Sequence, residues 1–386
     1  MKHFASKKVL LGAAAGLMMA MAAMPSLVSG ATAVKISGST TVFPVSQAVI
    51  AAGGWTDMTL SGGGSGQGRT DVINKVVDIG NSSGKASAAQ LELLDEWIVA
   101  RDMITIIVDA DFYDDLVAAN GGNDINITPA QLDTLYEQGA NITNYTWGDF
   151  IPTLEPTNPV ADEKIIPVAR IVGSGTRDTF MSKCGITSAT EETTMSAVES
   201  AYGIIRQAEN QGVYDMIEAD TGSYGGQSAH LIGYIGLGYV DELVKGLKIN
   251  NVEPVAANFS SYFFSRDLYA YTLKKQYRPA DDGYNMRAMD FVEFMLSPAG
   301  QAAVPATGFI SVARSLTLTP CWWDIAGTNK SMDTLDFSVL SSNWNTTGTP
   351  GDPTWTGMKA DLNNNGTVDV PDFAKLSSLW GSSWNY

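Results

Sequence analysis

One stretch constrains the fold of this chain more than any other: an apolar run, a glycine-containing turn and a helix start follow one another directly. Residues 165–169 read IIPVA, as expected for a buried strand, and residues 170–176 read RIVGSGT. The first turn of a helix has unpaired N–H groups and a dipole that favours negative charge, and Arg170, Ser174 and Thr176 add further donors. The stretch predicts an anion site; the alternative is a loop in which Ser174 only caps the helix.

Three other stretches place glycines and small hydroxyl residues in similar surroundings. They read ISGSTTVFP from residue 36, SGGGSGQG from residue 61 and VDIGNSS from residue 77. With the RIVGSGT stretch, IGY from residue 232 and YFFSRDLY from residue 262, they follow the order of a known family. Over about residues 34–313 the chain resembles the phosphate-binding solute-binding proteins of ABC transporters, which have a type II periplasmic-binding fold.

The fold class expected from the residues themselves is α/β. Short β-rich runs alternate with helical patterns such as residues 88–99, and a body of about 280 residues is too long for one compact core. The resemblance implies a domain over residues 34–315 with two lobes, a hinge and a ligand cleft between the lobes. One lobe would take residues 34–105 and 260–315, and the other residues 106–259.

The resemblance also implies which residues would contact phosphate: Thr40, Thr41, Ser65, Asp78, Arg170, Ser174, Gly175 and Thr176. Asp78 matches the buried carboxylate of the family, which would accept a hydrogen bond from a protonated phosphate oxygen and so favour phosphate over sulfate. Val172 departs from the family, which often has an acidic residue just before this glycine. Arg170 would then lack one usual partner, which leaves the choice between phosphate and other oxyanions open.

The N-terminal end has the pattern of a secretory signal peptide over residues 1–33. Lys2, Lys7 and Lys8 precede an apolar run, and ATA at 31–33 supplies a cleavage signal. No Cys stands beside that signal, so a lipid anchor is not expected, and no other apolar run is long enough to span a bilayer. We therefore expect export to the periplasm, the cell surface or the exterior, without direct membrane insertion.

Charge and cysteine content narrow the partners further. The formal net charge is −17, which argues against nucleic acid as a partner. An acidic protein that binds an anion must use local dipoles, which the Ser/Thr/Gly turns supply. Export would permit a disulfide between Cys184 and Cys321, but the sequence leaves this pairing open, as it does glycosylation and oligomeric state.

After a predicted linker at residues 316–321, the chain contains an internal repeat. DFSVLSSNW at 336–344 matches DFAKLSSLW at 372–380. Residues 361–372 have the spacing of an EF-hand loop, with a glycine at position six. The predicted oxygen ligands are Asp361, Asn363, Asn365, the Thr367 carbonyl, Asp369 and Asp372. Hard oxygen donors predict calcium as the cofactor, and the alternative is an ordinary polar Asn/Gly turn.

The short two-repeat plan resembles a dockerin module, here a small all-α calcium-binding module over residues 322–386. A cohesin-like protein would then be its partner. The first copy of the repeat departs from the pattern, because its loop has no glycine at position six. Its candidate ligands are Asp324, Asn329, Asp333 and Asp336, and calcium binding there stays open.

These features favour a secreted solute-binding protein that captures inorganic phosphate in an interlobe cleft and docks through a calcium-dependent tail. An ABC permease would be a further partner. One alternative is an extracellular matrix or surface structural protein that uses the binding fold as a scaffold. Another is a phosphatase, but no His/Asp cluster accompanies the motifs and Ser174 has no evident base. We therefore expect no enzymatic activity.

Overall fold

The computed structural model of the chain describes residues 33–274, 277, 283–312, 333–348, 356–362 and 365–378. The predicted signal peptide up to residue 32, the 316–321 linker, Cys321 and Asn363 lie outside the described residues. Within the described ranges, no helix combines the length and the apolar character that a membrane span requires.

The described residues form strands and helices that alternate along most of the chain. The strands are β1 (Val34–Gly38), β2 (Met58–Leu60), β3 (Ile79–Ser82), β4 (Leu94–Asp109), β5 (Asn126–Ile127), β6 (Lys164–Pro167), β7 (Ser223–Tyr224), β8 (Gln227–Gly236), β9 (Val244–Gly246), β10 (Lys248–Ile249) and β11 (Ser265–Leu273). The α-helices are α1 (Phe43–Gly53), α2 (Ser65–Ile73), α3 (Ala88–Leu91), α4 (Ala110–Ala119), α5 (Pro129–Tyr136), α6 (Trp147–Phe150), α7 (Gly175–Cys184), α8 (Ser188–Tyr202), α9 (Asn210–Glu218), α10 (Gly283–Leu296), α11 (Pro298–Ala302), α12 (Thr334–Ser342) and α13 (Val370–Ser378). Short 3-10 helices occupy Gly139–Asn144, Pro159–Asp162, Leu237–Tyr239, Ala256–Asn258, Pro305–Thr307 and Thr356–Lys359.

One mixed sheet connects most of these strands, in the order β2-β1-β3-β11-β4-β8-β6, with β7 beside β8 and β9 beside β4. The strand pairs β1–β2, β1–β3 and β6–β8 are parallel, whereas β11 is antiparallel to both β3 and β4. A small parallel pair, β5 and β10, lies outside this sheet. The carboxyl ends of β1, β2 and β3 therefore lie at the same edge.

Strand β4 is longer than the sequence pattern indicated. The predicted helix over residues 88–99 is wrong beyond its first turn, because α3 ends at Leu91 and the 16-residue β4 begins at Leu94. The long antiparallel ladder with β11 overrides the helical spacing of the apolar residues. The Trp97 indole N–H donates to Thr272 Oγ1 at 3.0 Å, from one strand of this pair to the other.

The apolar interior forms separate clusters at the two ends of the β4–β11 pair. On β4, Ala100 packs in the first cluster and Met103 in the second. On β11, Leu268 belongs to the first cluster, and Phe264, the residue just before β11, belongs to the second. The chain thus has two lobes that share these two strands. The change from one core to the other falls between residues 100 and 103 on β4, and between residues 264 and 268 at β11.

The two copies of the repeat lie on α12 and α13. The Phe337 and Phe373 rings are 6.2 Å apart and nearly perpendicular. The Asn345 N–H donates to the Val368 carbonyl at 2.8 Å, and the Val368 N–H donates to the Thr346 carbonyl at 3.0 Å. The segments next to the two helices are thus joined by a short antiparallel contact.

Candidate functional site

The loops that follow β1, β2, β3 and β6 meet between the two lobes. Three helices begin there, α1 at Phe43, α2 at Ser65 and α7 at Gly175. The carboxyl ends of parallel strands and the N-termini of helices are where α/β proteins gather N–H donors for a ligand. The fold therefore places four separate hydroxyl-rich turns of the sequence around one point.

Five hydroxyl side chains at this point form what we call the hydroxyl cluster: Thr40, Thr41, Ser65, Ser83 and Thr176. Thr41 Oγ1 lies 3.0 Å from Thr176 Oγ1, and Ser65 Oγ lies 3.1 Å from Ser83 Oγ. All five except Thr40 are buried. Four of the five were predicted site residues; Ser83 was not.

Arg170 is the most unusual residue of the site, because the residue is 98 % buried and its guanidinium bonds only to neutral acceptors among the described residues. Its Nη1 donates to Asn210 Oδ1 at 2.6 Å, and its Nη2 donates to the Ala208 carbonyl at 2.7 Å and to Thr40 Oγ1 at 3.3 Å. Burial lowers the pKa of Arg170 to about 10, so the group stays cationic at neutral pH. A buried cation without a carboxylate partner destabilises a protein by several kcal/mol, so an anion would be strongly favoured beside it.

The backbone of Arg170 is fixed by the second lobe. Its N–H donates to the Tyr234 hydroxyl at 3.1 Å, and the Tyr234 ring stacks on Phe180 with centroids 4.2 Å apart. Tyr234, the tyrosine of the IGY stretch, thus fixes the position of the Arg170 backbone. An immobile guanidinium loses little conformational entropy when a ligand arrives.

Ser174 caps α7, since its Oγ accepts the Arg177 N–H at 3.3 Å. The structural role considered for Ser174 is therefore present, and its hydroxyl hydrogen can still donate to an anion. Gly175 follows in the tightest part of the site. A β-carbon there would lie 2.6 Å from Ser83 Oγ and 2.9 Å from the Gly84 nitrogen, so only glycine fits in this arrangement.

A second buried guanidinium, Arg266 on β11, was not among the predicted site residues. Its Nε and Nη2 donate to Asp102 Oδ2 on β4 at 2.9 and 2.6 Å. Its Nη1 also donates to the Ser83 and Gly175 carbonyls, both at 3.3 Å, and its Nη2 donates to Thr176 Oγ1 at 3.0 Å. Arg266 therefore bridges the lobes directly behind the hydroxyl cluster, with its charge balanced by Asp102.

Asn210, the first residue of α9, was also missed. Its Nδ2 donates to Thr41 Oγ1 at 2.9 Å, while its Oδ1 accepts from Arg170. One amide thus links the arginine of the second lobe to a hydroxyl of the first. Nothing in the local sequence around Asn210 signals this role, because it depends on two elements that are distant along the chain.

Asp78 does not join the site, contrary to expectation. It pairs with Lys35 at the amino end of β3, where the Lys35 N–H donates to Asp78 Oδ2 at 2.7 Å. Ser83 lies five residues further along, about 16 Å away in an extended strand. The other seven predicted phosphate contacts all lie at the carboxyl ends of the strands or at the N-terminus of α7.

The predicted calcium loop closes on its own carboxylates. Asp361 accepts N–H groups from Asn365 at 3.1 Å and Gly366 at 3.0 Å, and Asp372 accepts from Leu362 at 2.7 Å and Asp369 at 2.8 Å. Asp361 and Asp372 are almost fully buried. Asp369 Oδ1 is a buried oxygen without a hydrogen-bond partner among the described residues.

Carboxylate oxygens are the kind of ligand that calcium prefers. At Thr367 the predicted ligand is the carbonyl oxygen and not the side-chain Oγ1. The Thr367 N–H donates to Asn365 Oδ1 at 2.8 Å. The described residues contain no convergent group of three Asp, Glu, His or Cys side chains, so calcium remains a prediction.

In the first copy of the repeat, Asp333 and Asp336 form a similar cap. Asp336 is fully buried and accepts the Asp333 N–H at 2.9 Å, as Asp372 accepts that of Asp369. Asp324 and Asn329, the other candidates, lie outside the described residues.

Comparison with known proteins identifies the class to which this fold and site belong. The sequence profile of the PBP superfamily domain matches residues 27–299, so the chain belongs to the PBP superfamily. A putative phosphate ABC transporter substrate-binding protein from Clostridium perfringens, solved with bound phosphate, is 25% identical with a TM-score of 0.55. That likeness covers 73% of this chain and 100% of the other.

A second solved structure supports the same fold. An ABC-type phosphate transport receptor from Vibrio cholerae is 21% identical, with a TM-score of 0.52, over 72% of this chain and 100% of the other. The two proteins thus share a fold.

Proposed function

We propose that this protein is an exported solute-binding protein that captures inorganic phosphate between its lobes. The observation that carries the proposal is Arg170, a buried guanidinium held by neutral acceptors beside the N-terminus of α7. The likeness to a substrate-binding protein solved with phosphate adds support. The anion would receive hydrogen bonds from Arg170, the cluster hydroxyls, Ser174 and the N–H groups of Gly175 and Thr176.

Binding of phosphate would draw the lobes together, because its donors come from both. Thr40, Thr41 and Ser65 belong to the first lobe, whereas Arg170 and the α7 turn belong to the second. Tyr239 of the second lobe already donates its hydroxyl to the Thr40 carbonyl at 3.0 Å. An anion that neutralises Arg170 would stabilise this closed arrangement, in which an ABC permease would recognise the protein.

Calorimetry with phosphate tests this function. Replacing Arg170 by Ala should weaken binding by about 2–4 kcal/mol, roughly 30- to 1,000-fold, because a charged donor leaves a buried anion. Arg206→Ala is the matched control: Arg206 lies in the same lobe but pairs with Glu191 at 2.8 Å and Glu192 at 3.1 Å. Equal affinity of the wild type and the Arg170 variant would remove Arg170 from the site.

For the C-terminal segment, we propose a dockerin-like module that folds around calcium and docks to a cohesin-like protein. The ligands would be Asp361, Asn363, Asn365, the Thr367 carbonyl, Asp369 and Asp372. The cation would neutralise carboxylates whose mutual repulsion opposes the compact loop. The buried Asp369 Oδ1, which has no hydrogen-bond partner among the described residues, supports this proposal, as does the agreement of the whole loop with EF-hand spacing.

Limited proteolysis of the whole protein tests the module. With calcium, residues 333–378 should resist cleavage; with a chelator they should be cut while the two lobes stay intact. Magnesium at the same concentration is the control, since it prefers a smaller octahedral site. Identical cleavage with calcium and with chelator would leave the loop as an ordinary turn.

A further inference from the structure

The hydroxyl cluster makes no hydrogen bond to a carboxylate among the described residues. Its members bond to one another, as in the Thr41–Thr176 and Ser65–Ser83 pairs, and receive hydrogen bonds from Arg170, Asn210 and Arg266. The side chains in this set are two guanidinium donors, hydroxyls that can both donate and accept, and one amide, and none of them can only accept. This arrangement bears on which anion the site can hold.

The carboxylates nearest to the cluster in space or in sequence either bond to other groups or are exposed to solvent. Asp78 lies at the far end of β3, and Asp102 gives one oxygen to Arg266 and the other to the Leu237 N–H at 2.9 Å. Asp178 and Glu209, which are neighbours in sequence of site residues, are exposed. None of these four is bonded to a cluster hydroxyl in the described residues.

Ser83 directly follows β3, and its side chain lies in the site. Its carbonyl accepts from Arg266, its N–H donates to Ser65 Oγ at 2.9 Å, and its own hydroxyl contacts the same oxygen. Because both backbone groups are held, its hydroxyl is positioned but its hydrogen can rotate. A carboxylate at this point would accept only; a hydroxyl adapts to either kind of oxygen.

This difference decides how anions are told apart. At neutral pH phosphate still carries a proton to donate, whereas sulfate does not. A carboxylate in the site accepts a hydrogen bond from the protonated phosphate oxygen and so favours phosphate. It repels sulfate, because two anionic oxygens would then face each other without a hydrogen between them. A hydroxyl accepts from protonated phosphate and donates to sulfate, so it imposes no such penalty.

We infer that the cleft binds fully ionised tetrahedral oxyanions, sulfate among them, with affinities close to that for phosphate, and that Ser83 is the position that sets this tolerance. The inference rests on the proposed function, since it concerns the same cleft and the same donors. It reverses the expectation from the sequence that Asp78 would favour phosphate.

Calorimetric titration of the purified protein with phosphate and with sulfate, at the same pH and ionic strength, tests this inference. We expect the two dissociation constants to lie within about tenfold of each other. Phosphate binding more than about 100-fold tighter than sulfate would overturn the inference and leave the proposed function standing. Binding of neither anion would overturn both.

Two variants test whether Ser83 sets the preference between phosphate and sulfate. Ser83→Asp should raise the preference for phosphate over sulfate by about 100-fold, because it places an acceptor-only group against the anion. Ser83→Ala is the control and should leave the preference within about threefold of the wild type, as neither anion gains a repulsive neighbour. If Ser83→Asp binds phosphate with an unchanged ratio of phosphate to sulfate affinity, Ser83 does not set the tolerance. If this variant does not fold, the comparison of the two anions in the wild type still decides the inference.

Discussion

The clearest structural perturbation of the cleft is the addition of a single methyl group at Gly175. A β-carbon at this position would lie 2.6 Å from Ser83 Oγ and 2.9 Å from the Gly84 nitrogen, whereas ordinary contact starts near 3.4 Å. The serine hydroxyl can rotate away, but the backbone nitrogen cannot. The α7 N-terminus would therefore move away from the first lobe by about half an ångström, in the direction that opens the cleft.

The magnitude follows from the overlap. Overpacking of this kind destabilises by about 1–3 kcal/mol, and each 1.4 kcal/mol corresponds to about tenfold in affinity. Because the strain is present only when the lobes are closed, we expect Gly175→Ala to weaken phosphate binding by about 5- to 150-fold. The melting temperature of the phosphate-free protein should change less, because open lobes relieve the clash.

Gly66→Ala provides the matched control in the calorimetric assay. Gly66 also faces the other lobe, but a β-carbon there would lie 4.0 Å from the Gly173 oxygen, an ordinary contact. Its affinity should stay within about threefold of the wild type. If Gly175→Ala bound phosphate as well as Gly66→Ala does, the closed contact between α7 and the first lobe would not be the binding-competent form.

Three further predictions concern Arg266, Asp78 and the predicted calcium loop. Arg266→Lys should weaken phosphate binding by at least about tenfold in calorimetry and lower the melting temperature, because a lysine lacks the planar fork that reaches both lobes and Asp102; unchanged values would make Arg266 dispensable. Asp78→Asn should leave the ratio of phosphate to sulfate affinity within about twofold of the wild-type ratio, since Asp78 is remote from the cluster, and a larger change in either direction would place Asp78 at the anion. Asp361→Ala should abolish calcium uptake measured by calorimetry while phosphate affinity is kept, and undiminished uptake would assign the cation elsewhere.

The local sequence indicated an anion site at the RIVGSGT turn from its strand–turn–helix pattern, and the resemblance added Thr40 and Ser65. Thr40 follows β1, Ser65 begins α2, and the fold brings both together with this turn. Such patterns report backbone geometry directly, because glycines and small hydroxyl residues are needed where a helix starts beside a strand.

The sequence did not show which end of β3 would face the ligand. Asp78 and Ser83 belong to one seven-residue stretch, and the four-residue strand between them carries one to the site and the other away. Resemblance favoured the carboxylate, but strand direction decides the outcome. A count of residues between the start of β3 and the following turn could have shown that Ser83, and not Asp78, faces the site.

Long-range pairing was beyond what the sequence could predict. The Arg266–Asp102 ion pair joins β11 to β4, and β4 itself was partly interpreted as a helix because its apolar residues also fit a helical spacing. Which spacing prevails depends on the partner strand, which lies more than 160 positions away at that ion pair. Asn210 was missed for the same reason.

A crystal structure of the protein grown with phosphate would show directly whether the cleft binds the anion. We expect one phosphate between the lobes, with oxygens within hydrogen-bond distance of the Arg170 guanidinium, of Thr41 and Ser65, and of the first N–H groups of α7. Phosphate bound elsewhere, or a cleft that stays empty at saturating phosphate, would contradict it.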